Sequence, residues 1–500
     1  MARSEKHICD LGDSALRAPE KAGDGFTFRV QSFTLRKAPS ENIAADDRRR
    51  RRGSNTRTGS EAVGGCPMKM GGLSALQRTF SIRNYRLFVI GNMTSNLGLW
   101  VQRVAIGWLA WELTHSTTWL GGMALAESAP TIIFGLIAGT FVDRVDYFKM
   151  LRITQACQLL YSVSMAVLTF TGLMDIWVLL TLTMLRGSVV AFNRPTRMTV
   201  VYNLVGRDLL PSVLALNSTI FNTSRFIGPA IGGAILVAGG PKWTFVAGAL
   251  MFFVFTLCLR AMRMPQAAPV SKEGRGSVLL ETIEGLRYTA SHAGIRRQLT
   301  LLIGTSLFAK PVTDLMPGFA AEVFHMGPHG LAILLSAHGI GATTAGIWLA
   351  SRDTGIKGMT AVTIRNVLFM SIGLLIFTAT DYFWIAAPVV CWIGFTFITQ
   401  GVTNQTLIQS AVDPALRGRV VSTYGLISQG VPSIGSFIMG ALAEQFGLRI
   451  PVAAGAVVCL ALWMWAWRAR KPLAAILEAE PAHHGVSAKA SPTRLDGKLR

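Results

Sequence analysis

Charge is scarce in this chain. Only 15% of its 500 residues are Asp, Glu, Lys or Arg, against 51% hydrophobic, and the mean hydropathy is +0.42. Soluble chains carry about a quarter charged residues, so this shortage excludes an ordinary soluble or disordered protein and calls for lipid as the solvent. Acidic residues are the scarcer kind, 27 against 48 basic, which leaves a formal charge of +21. The six cysteines (Cys9, Cys66, Cys157, Cys258, Cys391, Cys459) lack C-x-x-C spacing, and four fall inside apolar runs. They read as small core residues, neither disulfides nor metal ligands. No G-x-x-x-x-G-K-[ST] loop occurs, so nothing points to ATP hydrolysis by the chain itself. No nucleophile, base and oxyanion set or metal cluster stands at loop positions, so neither an enzyme, a metal nor a cofactor is expected. A charged-then-apolar leader with a cleavage site is also missing, and the first apolar run is expected to stay in the mature protein.

What the chain does have is long apolar runs of the length, about 20 residues, that crosses some 30 Å of hydrocarbon as a helix. Twelve begin at Leu87: Leu87 to Trp111, Trp119 to Val142, Met150 to Leu173, Ile176 to Phe192, Ser212 to Ala238, Trp243 to Ala261, Leu299 to Val323, Leu331 to Ala350, Thr360 to Thr378, Tyr382 to Ile408, Val420 to Ala443 and Ile450 to Trp467. An all-α membrane protein of twelve transmembrane helices is expected. The first 80 residues are polar, carry a five-arginine run from Arg48 to Arg52, and read as a disordered basic tail. A retention signal, an overextended reading frame with Met68 or Met70 as the start, and nucleic-acid binding are open readings of that run; no nucleic-acid partner is expected.

Orientation follows from the basic residues, which resist translocation. One set of alternate loops holds Arg144, Lys149 and Arg152, then Arg194, Arg197 and Arg207, then Arg352 and Lys357, then Arg417 and Arg419; the other set holds only Lys242 and Arg449. The long connection from Arg260 to Arg297 adds seven more bases to the first set. Both termini are therefore expected in the cytoplasm, which agrees with an even number of spans. A displacement of 207 residues lays one half on the other, Gly139 on Gly346, Thr199 on Thr406, Gly228 on Gly435 and Gly233 on Gly440. Two like halves facing each other across a pathway are expected, as in transporters built from parallel repeats. The expected division is a tail at 1–80, a six-helix bundle at 81–262, a cytoplasmic linker at 263–297, a second bundle at 298–470 and a cytoplasmic tail at 471–500.

Three motifs carry a resemblance. The loop after the second span reads Gly139-Thr-Phe-Val-Asp143-Arg144-Val-Asp146-Tyr-Phe-Lys149, in which a carboxylate can lie against the positive end of a neighbouring helix and an arginine can find an acidic partner. The fifth span carries Ser224-Arg225-Phe-Ile-Gly228-Pro229-Ala-Ile-Gly232-Gly233, where small residues allow close helix approach and the proline removes a backbone donor and bends the helix. A third stretch runs from Phe192-Asn193-Arg194-Pro195 through Gly206-Arg207-Asp208-Leu209, with a counterpart at Asp413-Pro414-Ala-Leu-Arg417-Gly418-Arg419. These resemble, respectively, the G-x-x-x-D-R-x-G-[RK]-[RK] loop of the major facilitator superfamily, its exporters' G-x-x-x-G-P-x-x-G-G motif with serine in first place, and its transmembrane secretion effector branch, which includes the enterobactin exporter. Asp146 stands where that loop usually has glycine, and Tyr147 and Phe148 where it has bases. The resemblance implies twelve helices, alternating access and proton-driven export. It makes Gly139, Asp143 and Arg144 a gating loop and Gly228, Pro229, Gly232 and Gly233 an antiporter-like motif.

Ionisable groups at bilayer depth cost a few kcal/mol each and tend to be paired or functional. Six stand out: Arg103, Glu127, Arg186, Arg225, Lys310 and Asp314. Arg103 and Glu127 fall at similar depth on a hairpin of helices and can pair. Lys310 and Asp314, four apart, are expected to share a helix face. Arg186 and Arg225 have no local partner in sequence. Glu127 and Asp314 are the proton-coupling candidates, because burial favours the neutral acid; Arg103, Arg186, Arg225 and Lys310 are the substrate-cavity candidates. Static ion pairs that hold helices together remain an alternative for Lys310 and Asp314. Two carboxylates against four bases suit an anionic cargo. The expected function is export of a small amphipathic or anionic molecule, siderophore- or drug-like, by proton antiport across a bacterial inner membrane. The expected partners are that small molecule, protons and the lipid bilayer, with the protein a monomer. The alternatives are an importer or facilitator of the same fold and a non-transporting membrane receptor or assembly protein.

Overall fold

The computed structural model describes residues 78–142, 145–205, 207–263, 287–352, 355–412 and 416–478, and these are helical throughout, without a strand among them. Asp143 and Arg144 of the expected gating loop lie outside the described residues, as do most of the expected N-terminal tail, the core of the expected linker and the end of the C-terminal tail.

Helices α1 (Arg83–Thr114), α2 (Thr117–Val142), α3 (Tyr147–Phe170) and α4 (Ile176–Leu204) are joined by short turns. After a 3₁₀ turn at Arg207–Leu209 comes α5 (Leu210–Ala261), 52 residues whose one non-helical position is Gly240, at φ 77° and ψ −175°. The left-handed φ suits a residue without Cβ, and Pro241 directly behind it is preorganised to start a new helix. The expected fifth and sixth runs are thus two arms of α5. At Pro229 the backbone keeps helical φ and ψ.

The chain resumes with α6 (Ala293–Phe308), α7 (Val312–Gly318), a π-helical turn at Phe319–Val323, α8 (Gly327–Ala350), α9 (Met359–Ala379), α10 (Phe383–Ala411), α11 (Arg417–Phe446), α12 (Arg449–Arg468) and a short α13 (Arg470–Leu477). Among the described residues nine helices are long and apolar enough to cross a membrane, with the arms of α5 counted as one and α6 through the π turn as one. Two departures from expectation concern ends. α4 runs on to Leu204, well past Phe192, so Arg194 and Arg197 belong to a helix and not to a loop. α13, within the expected tail, buries Leu473 and Leu477 against the bundle. Glu478 behind it accepts hydrogen bonds from Gly358 N at 2.7 Å and Thr360 N at 2.8 Å, capping α9.

Asp146, the residue that departs from the superfamily loop, has a local task of its own. Its carboxylate accepts from Phe148 N at 2.8 Å and Lys149 N at 3.1 Å and so caps α3.

Apolar packing divides the molecule into a fused end and a split end. One cluster joins α1 from Val104 to Trp111 and the start of α2 to α7, α8 and the far end of α11, across both halves. At the opposite end a cluster around Tyr85, Phe88, Leu151, Val200 and Phe255 uses the first half alone. Two clusters around Ile295 and Leu302, and around Ile364 and Leu407, use the second half alone. A hydrophobic core shared at one end and separate at the other is what a two-bundle protein closed on one side presents.

Candidate functional site

Glycines bring the halves together at the fused end. A Cβ on Gly121 of α2 would overlap the carbonyl of Ser436 on α11 and lie 2.7 Å from the Phe437 Cα. Gly440 of α11 meets the Thr117 carbonyl in the same way, and the Thr117 hydroxyl donates to the Gly440 carbonyl at 2.8 Å. Glu444, four residues further along α11, accepts from Ser116 Oγ at 2.7 Å, Thr117 Oγ at 3.2 Å and Thr118 N at 3.2 Å. A carboxylate from one half thus caps the first turn of a helix in the other, where backbone N–H groups lack partners.

On the other flank α5 packs against α1 and α8. A Cβ on Gly228 would come 2.5 Å from the Trp100 Cβ, one on Gly232 2.9 Å from the Val101 carbonyl, and one on Gly233 2.7 Å from the Ala332 Cβ of α8. The motif therefore contacts its own half through two glycines and the opposite half through the third. Gly228→Leu is expected to wedge α5 off α1 and destabilise the first half by about 1–3 kcal/mol, the usual cost of overpacking. A variant with unchanged melting in detergent would show that the approach is unimportant.

Between these flanks lies a chain of charges. Arg186 of α4, 2% exposed, places Nη2 3.1 Å from Glu127 Oε1 of α2. Glu127 Oε2 lies 3.9 Å from Arg103 Nε of α1, and Arg103 Nη2 lies 3.2 Å from Asp314 Oδ1 of α7. Asp314 Oδ2 accepts from Ser436 Oγ of α11 at 2.7 Å. Five helices contribute, and the Arg103 to Asp314 contact crosses from the first half to the second. Glu127 and Asp314 are partly exposed, 22% and 18%, so the network can be reached from solvent or by a ligand.

One expectation is corrected here. Lys310 and Asp314 do not share a helix face, because the helix ends at Phe308 and restarts at Val312, with Lys310 and Pro311 in the break. Asp314 turns to Arg103 and Ser436 instead. Arg186, without a partner in sequence, has Glu127 in space, 59 residues away. The expected Arg103 and Glu127 pair is present, though it is the longest link of the chain.

The remaining bases differ. Arg225 stands over the Trp100 ring at 5.6 Å, with Arg103 at 5.5 Å from the same ring. Neither Arg225 nor the Lys310 ammonium has a carboxylate or hydrogen-bonding partner among the described residues. Sequence reasoning missed three participants: Ser436, Trp100 and Arg197. Arg197 donates to Asn92 Oδ1 at 2.8 Å, Ser95 Oγ at 2.7 Å and Gln155 Oε1 at 3.3 Å, and Asn92 in turn donates to Asn217 Oδ1 at 2.7 Å. The signal was the density of Asn and Gln within apolar runs, which marks buried polar packing. Arg194 Nη1 donates to Gln429 Oε1 of α11 at 2.6 Å, a further hydrogen bond between the halves. Gly139 falls in the last turn of α2. No group of three or more His, Cys, Asp or Glu is placed to hold a metal among the described residues.

The chain matches the family model described as transmembrane secretion effector over residues 74–493. It is 25% identical over 396 residues to the staphyloferrin A transporter of Staphylococcus aureus, an alignment covering 78% of this chain and 97% of that one. It is 24% identical over 374 residues to the multidrug efflux pump Tap of Mycolicibacterium fortuitum, covering 73% and 90%. Among solved structures, the nucleoside transporter NupG superposes with a TM-score of 0.60 at 12% identity, over 78% of this chain and 99% of that one. The peptide transporter POT in complex with sulfate does so at 0.61 and 10%, over 79% and 95%. At such identities the superpositions establish the fold, and the family match establishes the kind of protein: the chain belongs to the transmembrane secretion effector family of major facilitator superfamily transporters.

Proposed function

We propose that this transporter exports a small amphipathic or anionic molecule, siderophore- or drug-like, from the cytoplasm of a bacterium in exchange for protons, by alternating access. In this reading twelve transmembrane helices form two bundles, 81–262 and 298–470, with both termini cytoplasmic and the protein acting as a monomer in the inner membrane. The positive-inside distribution of Lys and Arg supports the orientation. The fused end, with Glu444 and Gly121, is then the outer end, and the state described is open to the cytoplasm.

The observation that carries the reading is the unbroken run Arg186, Glu127, Arg103, Asp314, Ser436, since it joins the two halves through groups that change charge with a proton. With both carboxylates ionised, Arg103 is held across the interface and the outer end stays shut. A proton on Asp314 removes the charge that holds Arg103 across the interface, and one on Glu127 leaves Arg186 without its carboxylate. Exchange requires that such a proton be taken up while the cavity faces outward and lost while it faces the cytoplasm. The cargo classes are supported by the relatives named as a staphyloferrin A transporter and a multidrug efflux pump.

The test is transport into inverted vesicles under an imposed pH gradient, with a labelled carboxylate siderophore and a labelled macrolide as cargoes. Accumulation that collapses with a protonophore is expected. Uptake only in right-side-out vesicles would make the protein an importer, and no flux of either solute in any orientation would leave a receptor role. Reporter fusions placing Arg275 outside the cell would overturn the topology.

A further inference from the structure

Beside the contact that shuts the fused end lies a groove of about 390 Å³ that the charge network does not use. Trp119, Gly122 and Leu125 of α2 form one wall, Leu180 and Met184 of α4 a second, and Phe437 of α11 the third. The groove follows α2 from Thr118 to Ala126, about 12 Å at 1.5 Å of rise per residue. Apart from Thr118 at one end, its lining side chains are apolar. Gly122 keeps it open: a Cβ there would meet only the edge of the Trp119 ring, at 4.0 Å. A cavity that holds water must offer it two to four polar partners, which these walls do not supply. The size is that of a ligand pocket, about 300–1,000 Å³.

The groove opens to lipid. Met184 is 44% and Phe437 40% exposed, on helices long and apolar enough to cross a membrane. Trp177 and Met184 are both exposed and share one face of α4, while Arg186, two residues on, points away from it to Glu127. Trp119 meets Trp177 edge-on at 5.1 Å in the first turns of α2 and α4. Trp384, the counterpart of Trp177 at the 207-residue displacement, stands likewise in the first turn of α10 and is exposed. Tryptophans at the ends of membrane helices sit at headgroup level. The Trp119 and Trp177 pair thus marks the mouth of the groove, and Leu125 with Met184 its depth in the hydrocarbon.

We propose that this groove is a binding site for an acyl chain of a membrane phospholipid, and that its occupancy holds the fused end shut. A chain anchored by its headgroup at the level of the tryptophans enters along α2, where hydrocarbon replaces a void and gains contacts with all three walls. Those walls belong to both halves, α2 and α4 to the first and α11 to the second. Gly121, next to Gly122, is where α2 meets the main chain of Ser436 and Phe437, so parting the halves there removes the Phe437 wall. The chain therefore fits one of the two arrangements alone, and a ligand shifts an equilibrium toward the state it binds. Such a site works the same way whatever the direction of transport and the coupling ion.

The experiment uses the full chain in phosphatidylcholine nanodiscs doped with a phosphatidylcholine that carries a diazirine on one acyl chain, with adducts mapped by mass spectrometry after irradiation. Adducts at Leu125, Met184 and Phe437 are expected to exceed about fivefold those at Leu160 and Val163 of α3, which are exposed outside the groove. Even labelling of all these side chains would overturn the site. Gly122→Leu fills the groove and is expected to cut the adducts at Met184 and Phe437 about tenfold, with those at Leu160 unchanged. Should that variant fail to fold, Met184→Trp fills the groove from α4 and is expected to do the same at Leu125 and Phe437. Undiminished adducts in the filled variant would likewise overturn the site. Gly121→Leu, which parts α2 from α11, is expected to lose the same adducts about tenfold although Gly122 is intact. Full labelling in that variant, with its fused end open to a thiol reagent, would overturn the hold on the gate. Loss of the adducts on adding a macrolide would make the groove a cargo site and overturn the lipid assignment.

Discussion

Glu127→Gln is expected to abolish the pH-driven part of transport while leaving a folded protein in the membrane. The amide keeps an oxygen for Arg186 Nη2, now 3.1 Å from Oε1, so the geometry can survive. The charge cannot. Arg186 is 2% exposed and has no second carboxylate among the described residues, whereas Arg103 retains Asp314 at 3.2 Å. Removing one partner of a buried ion pair typically costs about 3–5 kcal/mol, because the other charge is left without compensation; the retained hydrogen bond should bring the loss toward the lower bound. The double change Glu127→Gln with Arg186→Gln is therefore expected to regain stability without regaining coupling. Melting temperature and proton-driven flux in the same vesicles separate the two effects. If the single variant still concentrates cargo in response to a pH gradient, Glu127 is a structural residue and the network is a static brace.

Gly121→Leu is expected to have the other large effect, on conformation. The α2 and α11 backbones touch at Gly121 and Gly440, and the obstacle a side chain would meet at Gly121 is main chain of Ser436 and Phe437, which cannot swing aside. Overpacking costs of about 1–3 kcal/mol borne by the closed arrangement alone would shift the equilibrium between states roughly 5- to 150-fold toward opening at that end. Ser436 moves with that backbone, so the Asp314 hydroxyl contact at 2.7 Å goes too. An impermeant thiol reagent applied to cells should label a Thr118→Cys reporter much faster in the leucine variant, and transport should stall. Labelling at the original rate with full transport would mean that this contact does not report the gate.

How much of this could be read beforehand varies by residue. The expected runs fall within helices to a few residues, as for Ile176 at the start of α4 and Met359–Ala379 against the run from Thr360 to Thr378. Helix termination was harder. α4 runs through Pro195, because neighbouring groups take up Arg197, and hydropathy cannot count a guanidinium satisfied by Asn92, Ser95 and Gln155 as buried. Lys310 and Asp314 show the same limit from the other side. Spacing of four implies a common face only if the helix is continuous, and Pro311 interrupts it. Glu444 attracted no notice, since nothing near it in sequence needs a carboxylate; its partners lie 326 to 328 residues away.

The sequence by itself determined the solvent, the helical class, the family motifs and a set of six candidate ionisable residues within the apolar runs, because each depends on composition or short-range order along one chain. Which charge meets which was decided by the tertiary structure alone. Arg186 with Glu127, Arg103 with Asp314, and Arg225 with the Trp100 ring all depend on how helices cross within and between the two halves, and those crossings are set by backbone contacts at Gly121, Gly228, Gly233 and Gly339. The energy of an ion pair varies steeply with separation, and separation between distant segments is a property of the packed bundle.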